Sequence, residues 1–393
     1  MEPAKFERFK KEAFDFIWRE FDPLEEKIES TGKIDYKEIF PKISSAKFWG
    51  LVVPEEYGGS GLSVAQYIQI LSELSKIQGG IRVIIHVHNS SAHGLLAGTE
   101  EQRKVLLPKV ATGELSVAFA LTEPDGGTGK DIKTKATKSG DKWILNGRKH
   151  LITNADFAKL FQVFCFTNPE MGERGISNLL VNHDAPGFRK EGMPSLMGCR
   201  GSNHGLLTFE NCEVPVDSVL NKEGEGLNQA LGQLETSRVF IASTSLGTSE
   251  RCLDLSLEFA KKRSTFGKAI ADRQTIQGYL ADMATDIYAL RTMIQDTAEK
   301  IDRGIPVPAE ASMCKLFGLE AVGRVTDKAL LIFGGIGYTK AYPIERLYRD
   351  ARLNWLEEGP PTIQKMVIAR NFLKEYPWRT SEASAVVDFP WCK

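Results

Sequence analysis

Apolar residues recur at helical spacing from the start of the chain. Phe6, Phe9, Ala13, Phe14, Ile17 and Phe21 share one face, with charges between them. The pattern predicts helices from residue 4 to about 110, interrupted where Val53-Pro54-Glu55-Glu56-Tyr57-Gly58-Gly59-Ser60-Gly61 is too glycine-rich. Within that stretch an apolar helix is expected from about Ser63 to Ile77, and a second apolar run spans Ile84 to Leu96. Thr99-Glu100-Glu101-Gln102 reads as a helix start. The texture changes near residue 115. Short β-rich runs follow: Val117–Ala120, Trp143–Leu145, Phe161–Phe164, Leu179–Val181 and Leu206–Phe209. Gly, Asn and Asp punctuate them, with turn signals at Asn146-Gly147 and Ser139-Gly140-Asp141, so antiparallel strands are expected. From about 226 the helical period returns over Ser237–Lys262, Gln274–Ile301, Ala309–Ile332 and Thr362–Lys374, with Gly334-Gly335-Ile336-Gly337 closing the third. The chain therefore reads as α+β and mostly α: an N-terminal helical domain (1–115), a middle antiparallel β-barrel or sandwich domain (116–225) and a C-terminal helical domain (226–393). There is no internal repeat.

Composition narrows the classes of function. The chain has 393 residues, 42% hydrophobic and 26% charged, with 50 basic and 51 acidic side chains for a net charge of −1. That balance fits a globular protein of two or three packed units and offers no basic excess for nucleic acid or an anionic membrane. No apolar run approaches the roughly 18–20 residues that span a bilayer. Met1-Glu2-Pro3-Ala4-Lys5 leads into a charged amphipathic segment with no secretory core, so a cytoplasmic or matrix-like location is expected. Cys165, Cys199, Cys212, Cys252, Cys314 and Cys392 are scattered without metal spacing and read as reduced thiols. His86, His88 and His93 share one apolar segment without an acidic partner at metal spacing, and read as packed or surface histidines.

Four stretches could carry chemistry. Thr122-Glu123-Pro124-Asp125-Gly126-Gly127-Thr128-Gly129 follows a strand and suits a ligand rich in oxygen atoms, though a plain glycine turn has the same composition. It is neither a Walker loop nor a dinucleotide fingerprint. Thr153 follows a second strand, where a lone Thr is ordinarily a β-former. Arg263-Ser264-Thr265-Phe266-Gly267-Lys268 ends a helix. Arg263 offers a fork for a pyrophosphate, or simply joins Lys261 and Lys262 against the helix dipole. Trp355-Leu356-Glu357-Glu358-Gly359-Pro360-Pro361 sets two carboxylates in apolar company. A carboxylate in an apolar pocket can act as a base near neutral pH, while a solvated acidic loop is equally compatible with the composition.

The order and spacing of these stretches resemble the acyl-CoA dehydrogenase family across nearly the whole chain. The resemblance is carried by Val53–Gly59, Gly98–Gln102, Ala120–Pro124, Asn146-Gly147 with Ile152–Asn154, Met197–Ser202, Phe209–Pro215, Arg263–Lys268 with Gln274, Phe333–Gly335 with Arg349–Ala351, and Glu358-Gly359. It implies a C-terminal four-helix bundle, a homotetramer, and FAD bound between the β domain and the bundle. Thr122 and Thr153 would hydrogen-bond the flavin ring, and Thr128 would lie close to the pyrophosphate or the acyl-CoA. Arg263, Phe266, Gln274, Gly334 and Gly335 would hold the dinucleotide part from the adjoining subunit. The implied reaction is α,β-dehydrogenation of an acyl-CoA thioester. Glu358 takes the α-proton, its backbone N–H and an FAD hydroxyl stabilise the enolate oxygen, and the β-hydrogen leaves as hydride. Arg238 and Gly359 would face the substrate, and an electron-transfer flavoprotein would reoxidise the flavin.

The chain departs from the family pattern near this site. Pro360 replaces a Thr, Thr362 and Leu331 stand where Gln is common, and Leu151 replaces an aromatic residue. The Thr122–Asp131 loop is about one residue short, with Thr128-Gly129 for the common Ser-Asp. Glu357 stands where an aromatic residue is usual, and consecutive side chains diverge, so a salt-bridged Glu357 is expected rather than a second base. Arg82, by alignment on Val87, sits where glutaryl-CoA dehydrogenases carry an arginine for a distal carboxylate. It marks either a dicarboxylyl, cyclic or otherwise polar acyl group, or a helix-start arginine facing solvent. The competing functions are an acyl-CoA oxidase or flavin monooxygenase on the same scaffold, a flavin-bearing nucleic-acid-associated protein, and a silent acyl-CoA binder.

Overall fold

The computed structural model describes residues 1–126 and 131–374. Six helices come first: α1 Pro3–Glu20, α2 Glu25–Thr31, α3 Tyr36–Ser45, α4 Val64–Leu74, α5 Gly79–Leu95 and α6 Glu100–Thr112. The start of α6 is set by a reciprocal cap. The Thr99 N–H donates to Gln102 Oε1 (3.0 Å) and the Gln102 N–H to Thr99 Oγ1 (3.3 Å), while Gly113 at φ +79° ends the helix. The helix expected from Ser63 to Ile77 stops at Leu74. The run expected from Ile84 begins earlier, at Gly79, because Gln78 Oε1 accepts from the N–H groups of Gly80 (2.7 Å) and Ile81 (3.1 Å).

Seven strands form the middle sheet: β1 Val117–Ala120, β2 Lys135–Ser139, β3 Lys142–Thr153, β4 Leu160–Phe166, β5 Ile176–Asn182, β6 Phe188–Gly192 and β7 His204–Pro215. The order is β1-β4-β2-β3-β7-β6, with β5 on β4. Most neighbours run antiparallel, as the hairpin signals predict. The β1–β4 pair is parallel, with Val117 opposite Leu160, and β2 meets β4 in parallel at Lys135 and Phe166. Alternation identifies a strand but not its partner. The first pair joins segments separated by a whole hairpin and the second skips one strand, so no local turn signal announces them.

The last part holds α7 Gly226–Lys262, a two-residue hairpin of β8 Ser264–Thr265 and β9 Lys268–Ala269, then α8 Gln274–Asp302, α9 Pro308–Phe333, α10 Ile344–Ala351 and α11 Pro361–Lys374. Helices α7, α8, α9 and α11 pack on one another as a bundle. The two helical regions share one core. Phe21, Ile39, Tyr67 and Ile84 belong to the same buried cluster as Phe240, Ile287 and Ala298. The sheet has its own core around Trp143, Leu145, Phe161 and Phe209.

Helix α7 approaches α4 so closely that a Cβ on Gly247 would lie 1.8 Å from the Ser72 carbonyl oxygen. The obstacle is backbone and cannot swing aside. Gly247→Ala is expected to cost about 1–3 kcal/mol through overpacking, seen as a lower thermal midpoint.

Candidate active site

Helix α5 is the wall on which the site is built. It is buried on nearly every face, and Arg82 on it is only 3% exposed, so the solvent-facing alternative is excluded. Its Nη1 lies 3.7 Å from Glu357 Oε1, and its Nη2 lies 3.6 Å from Cys199 Sγ and 3.5 Å from Asn354 Oδ1. Glu357 is thus the ion-paired carboxylate, as side-chain divergence predicts. The pair is too long for a hydrogen bond, and both Arg82 Nη1 and Glu357 Oε1 are buried without a hydrogen-bond partner.

Glu358 points elsewhere. Its backbone is left-handed at φ +54°, followed by Gly359 at +88°, so the two adjacent carboxylates leave the chain in different directions. Burial pushes its carboxyl up. Lys315 opposes that shift, Glu357 adds to it, and a hydrogen bond from Ser237 and the charge of Arg238 oppose it. Such a carboxylate is a proton acceptor held in a poorly solvated place.

Two side chains that sequence reasoning missed hold this turn. Lys315 on α9 is fully buried and donates to the carbonyl oxygens of Glu357 and Gly359, the latter at 2.6 Å. Gln364 Nε2 on α11 donates to the carbonyls of Glu358 (3.1 Å) and Gly359 (2.9 Å). The available signal was a lone cation inside Met313-Cys314-Lys315-Leu316-Phe317, on a helix whose neighbours are apolar. Arg238 on α7 is also buried, with its Nε unpartnered.

The strand ends form the other side of the site. Thr122 follows β1, and its carbonyl accepts from the His150 N–H (2.8 Å). Thr153 ends β3 opposite His204 of β7, and its Oγ1 lies 3.1 Å from His204 Nε2. Asn154 Nδ2 donates to the Ile84 carbonyl (3.2 Å), which fixes this end of the sheet to α5. Beneath Thr122, Glu123 accepts from the N–H groups of Lys133 (2.6 Å) and Thr134 (3.0 Å) and from Lys149 Nζ (2.8 Å). Lys149 also donates to the Leu121 carbonyl (2.9 Å). Thr128 lies outside the described residues.

Arg263, Phe266, Gln274, Gly334 and Gly335 gather at the far end of the bundle. The Phe259 and Phe333 rings stack there at 4.1 Å, joining the ends of α7 and α9. Arg263 and Gln274 are exposed, and Phe266, at φ +52° on the tip of the β8–β9 hairpin, is 98% exposed. A Cβ on Gly334 or Gly335 would meet nothing within 4 Å. From Lys315 to Phe333 helix α9 rises about 27 Å. One chain therefore does not bring this cluster to its own acidic turn.

The departures near the site are open to the surroundings. Pro360 and Thr362 are exposed, and so are Leu331 and Leu151, the latter at φ +58°. The Met197–Ser202 and Arg349-Asp350 motifs are structural. Asp350 Oδ1 accepts from the Cys199 N–H (2.5 Å), and Arg349 donates to the Met197 carbonyl (3.1 Å) and to Glu29 (2.7 Å). Burial drives His86 down to about 3 and His88 to about 4, so both are neutral packing residues. Among the described residues no cluster of three metal-ligating side chains occurs, and no helix is long and apolar enough to cross a membrane. The five described cysteines are free and buried.

Three family models together cover most of the chain: the acyl-CoA dehydrogenase N-terminal domain over residues 3–114, the middle domain over 118–212 and the C-terminal domain over 224–373. An acyl-CoA dehydrogenase of Bacillus subtilis is 38% identical over 362 residues, covering 91% of this chain and 95% of the relative. The chain belongs to the acyl-CoA dehydrogenase family. Butyryl-CoA dehydrogenase from Megasphaera elsdenii has a matching structure, with a TM-score of 0.90 at 33% identity over 94% of this chain and 98% of that one. The caffeyl-CoA reductase–Etf complex subunit CarC of Acetobacterium woodii is 35% identical over 93% of this chain and 97% of its own length. Acyl-CoA dehydrogenases are FAD-dependent oxidoreductases, and the residues present fit that cofactor. The two strand-end threonines supply hydroxyls beside α5, and the open Gly334-Gly335 turn leaves room for a close backbone approach.

Proposed function

We propose that this acyl-CoA dehydrogenase removes the α-proton of an acyl-CoA thioester with Glu358. The observation that carries the reading is a carboxylate in a half-buried left-handed turn, raised above its ordinary range by desolvation and hydrogen-bonded by Ser237. Bound FAD supplies the hydride acceptor. In this reading Thr122 and Thr153 hydrogen-bond the flavin, and Arg238 and Gly359 border the thioester. The Glu358 N–H is the donor for the thioester carbonyl. Among the described residues no hydrogen bond uses that N–H. An ordinary thioester α-proton is far less acidic than a carboxylic acid, so proton removal requires a preorganised donor at the developing enolate oxygen.

The separation of the two binding clusters along α9 supports a homotetramer in which Arg263, Phe266, Gln274, Gly334 and Gly335 of a neighbouring copy complete the cofactor site. Likeness to the Etf-complex subunit supports an electron-transfer flavoprotein as the acceptor. The test is anaerobic bleaching of the bound flavin by straight-chain, cyclic, hydroxylated and dicarboxylyl CoA thioesters. No bleaching by any of them defeats the reading. Rapid reoxidation by air would instead favour an oxidase.

Arg82 and Glu357 narrow the acyl group. Glu357 already supplies a carboxylate to Arg82, so a second one would meet like charge. A neutral polar group, able to accept from Arg82 and donate to Glu357, satisfies both unpartnered atoms. Glu357→Gln is expected to raise the preference for glutaryl-CoA over butyryl-CoA by about tenfold or more, since tenfold corresponds to about 1.4 kcal/mol. Turnover on the preferred thioester should stay within about threefold, because Glu358 and not Glu357 takes the proton. An unchanged preference would remove the pair from substrate selection.

A further inference from the structure

Lys315 lies outside the motifs that the sequence singles out. We infer that Lys315 is a positioning residue for the proton-abstraction step, holding the Glu358 turn by its two flanking carbonyls and strengthening the Glu358 N–H as a hydrogen-bond donor. The inference rests on the reading of Glu358 as the base.

The geometry makes the argument. The Lys315 ammonium donates to the carbonyl of Glu357, which is the other half of the peptide unit that carries the Glu358 N–H. A cation bonded to a peptide oxygen draws electron density through the conjugated C–N bond and makes the N–H more positive. Chains of hydrogen bonds in a low dielectric polarise one another in this way. The second bond, to the Gly359 carbonyl at 2.6 Å, closes the ammonium around Glu358 from the other side. Gln364 holds the carbonyls of Glu358 and Gly359, so three consecutive carbonyls of the left-handed turn are occupied. Non-glycine residues adopt that conformation at a cost, and persist there only when the surroundings fix it.

The cation also acts on the base through space without occupying its carboxylate oxygens. A direct salt bridge would lower the basicity of Glu358 and block the approach of a proton. Bonding to backbone oxygens places the charge nearby while leaving the carboxylate to Ser237 and the substrate. The charged groups facing Lys315 are Glu358 and Glu357 on the turn and Arg238 on α7, while α11 contributes the neutral Gln364. Burial is the largest influence on Lys315 and pulls it down to about 8, against the opposing pull of the two carboxylates. The enzyme is therefore expected to lose kcat/KM above pH about 8 as Lys315 gives up its proton.

The test compares Lys315→Met, Lys315→Gln and Lys315→Arg as full-length, FAD-loaded proteins. The thioester used is the one that bleaches the wild-type flavin fastest. Its 3-thia analogue, which can lose an α-proton but resists hydride loss, serves to measure enolate formation. For Met and Gln, bleaching should slow about 10- to 100-fold, a fraction of the loss seen on removing an oxyanion donor outright. Enolate absorbance of the saturated complex with the 3-thia analogue should fall, while the dissociation constant of the matching S-alkyl thioether of CoA, which forms no enolate, stays within about threefold, the mark of an interaction that strengthens toward the transition state. Lys315→Arg should recover most of the rate and lose the descending limb near pH 8, because arginine stays charged. If Lys315→Met does not fold, the Gln and Arg variants decide by the same readouts. Bleaching within threefold of wild type with an unchanged pH profile would overturn the inference and leave the base assignment standing. A wild-type protein that no thioester bleaches would defeat the base assignment and this inference with it.

Discussion

Glu358→Gln is expected to slow anaerobic flavin reduction by acyl-CoA thioesters on the order of 10⁴-fold, the upper range for a general base, while thioester binding and FAD content are kept. Glutamine has the same shape, still bonds to Ser237 and leaves the Glu358 N–H in place. It lacks only the basic oxygen. Removal of the carboxylate charge makes Lys315 and Arg238 less well compensated, but Lys315 is held by the backbone carbonyls of Glu357 and Gly359 and keeps those bonds. A rate within tenfold of wild type would place the base elsewhere, with Glu357 the first alternative to examine by the same substitution.

The pH dependence separates a lost base from a damaged fold. Burial raises the Glu358 carboxyl in the folded protein above its ordinary value of 4.5. The wild-type rate should therefore rise through a midpoint above 4.5, a limb that Glu358→Gln lacks. The sign for stability follows from linkage. A carboxyl whose folded value is raised favours the fold most where it is protonated in both states, and that contribution fades as pH rises through the folded value. Glu358→Gln should match wild-type stability at pH 4 and exceed it at pH 8, read as thermal midpoints. A variant less stable than wild type at both pH values would show that the side chain is structural.

The elements most legible in the sequence were those with strong local signals. Strand β1 falls on Val117–Ala120, the short β-rich run read from the sequence, α6 starts after Thr99 because of its reciprocal cap, and α8 begins at Gln274. Helix α7 begins at Gly226 rather than near Ser237, since Gly226, Asn228 and Gly232 weaken the local helical preference and packing restores it. Arg82 was ambiguous because α5 scatters three histidines, Asn89 and two serines among its apolar residues, so the sequence marks no solvent side. A helix without a polar face gives no side on which to seat a cation, and only the position of Glu357 decides its partner. Glu357 and Glu358 are indistinguishable by composition. What divides them is a backbone reversal at φ +54°, which no propensity for glutamate foretells. The remote cluster around Phe266 illustrates a different limit. Its residues were readable as a group, yet their distance along α9 from the acidic turn emerges only once the bundle is folded.

Lys149→Met is the second substitution with a large expected effect, and it acts on the loop that carries Thr122. Lys149 belongs to the inward face of β3 with Leu145 and Ile152, and both it and Glu123 are buried at a separation of 2.8 Å. Truncating one partner of a buried pair strands the other's charge, which costs roughly 3–5 kcal/mol. Here the stranded group is Glu123, which still accepts from the Lys133 and Thr134 N–H groups. Those two bonds tie the start of β2 to the Thr122–Gly126 loop, so the strain falls on the loop rather than on the rest of the sheet. The expected result is a thermal midpoint lower by about 5 °C or more, together with FAD lost on gel filtration. Glu123→Gln combined with Lys149→Met removes the stranded charge and should recover part of both losses, a coupling that a double-mutant cycle measures. If the double variant is no better than Lys149→Met alone, the ion pair is not what holds the loop. The bond from Lys149 to the Leu121 carbonyl would then be the operative contact.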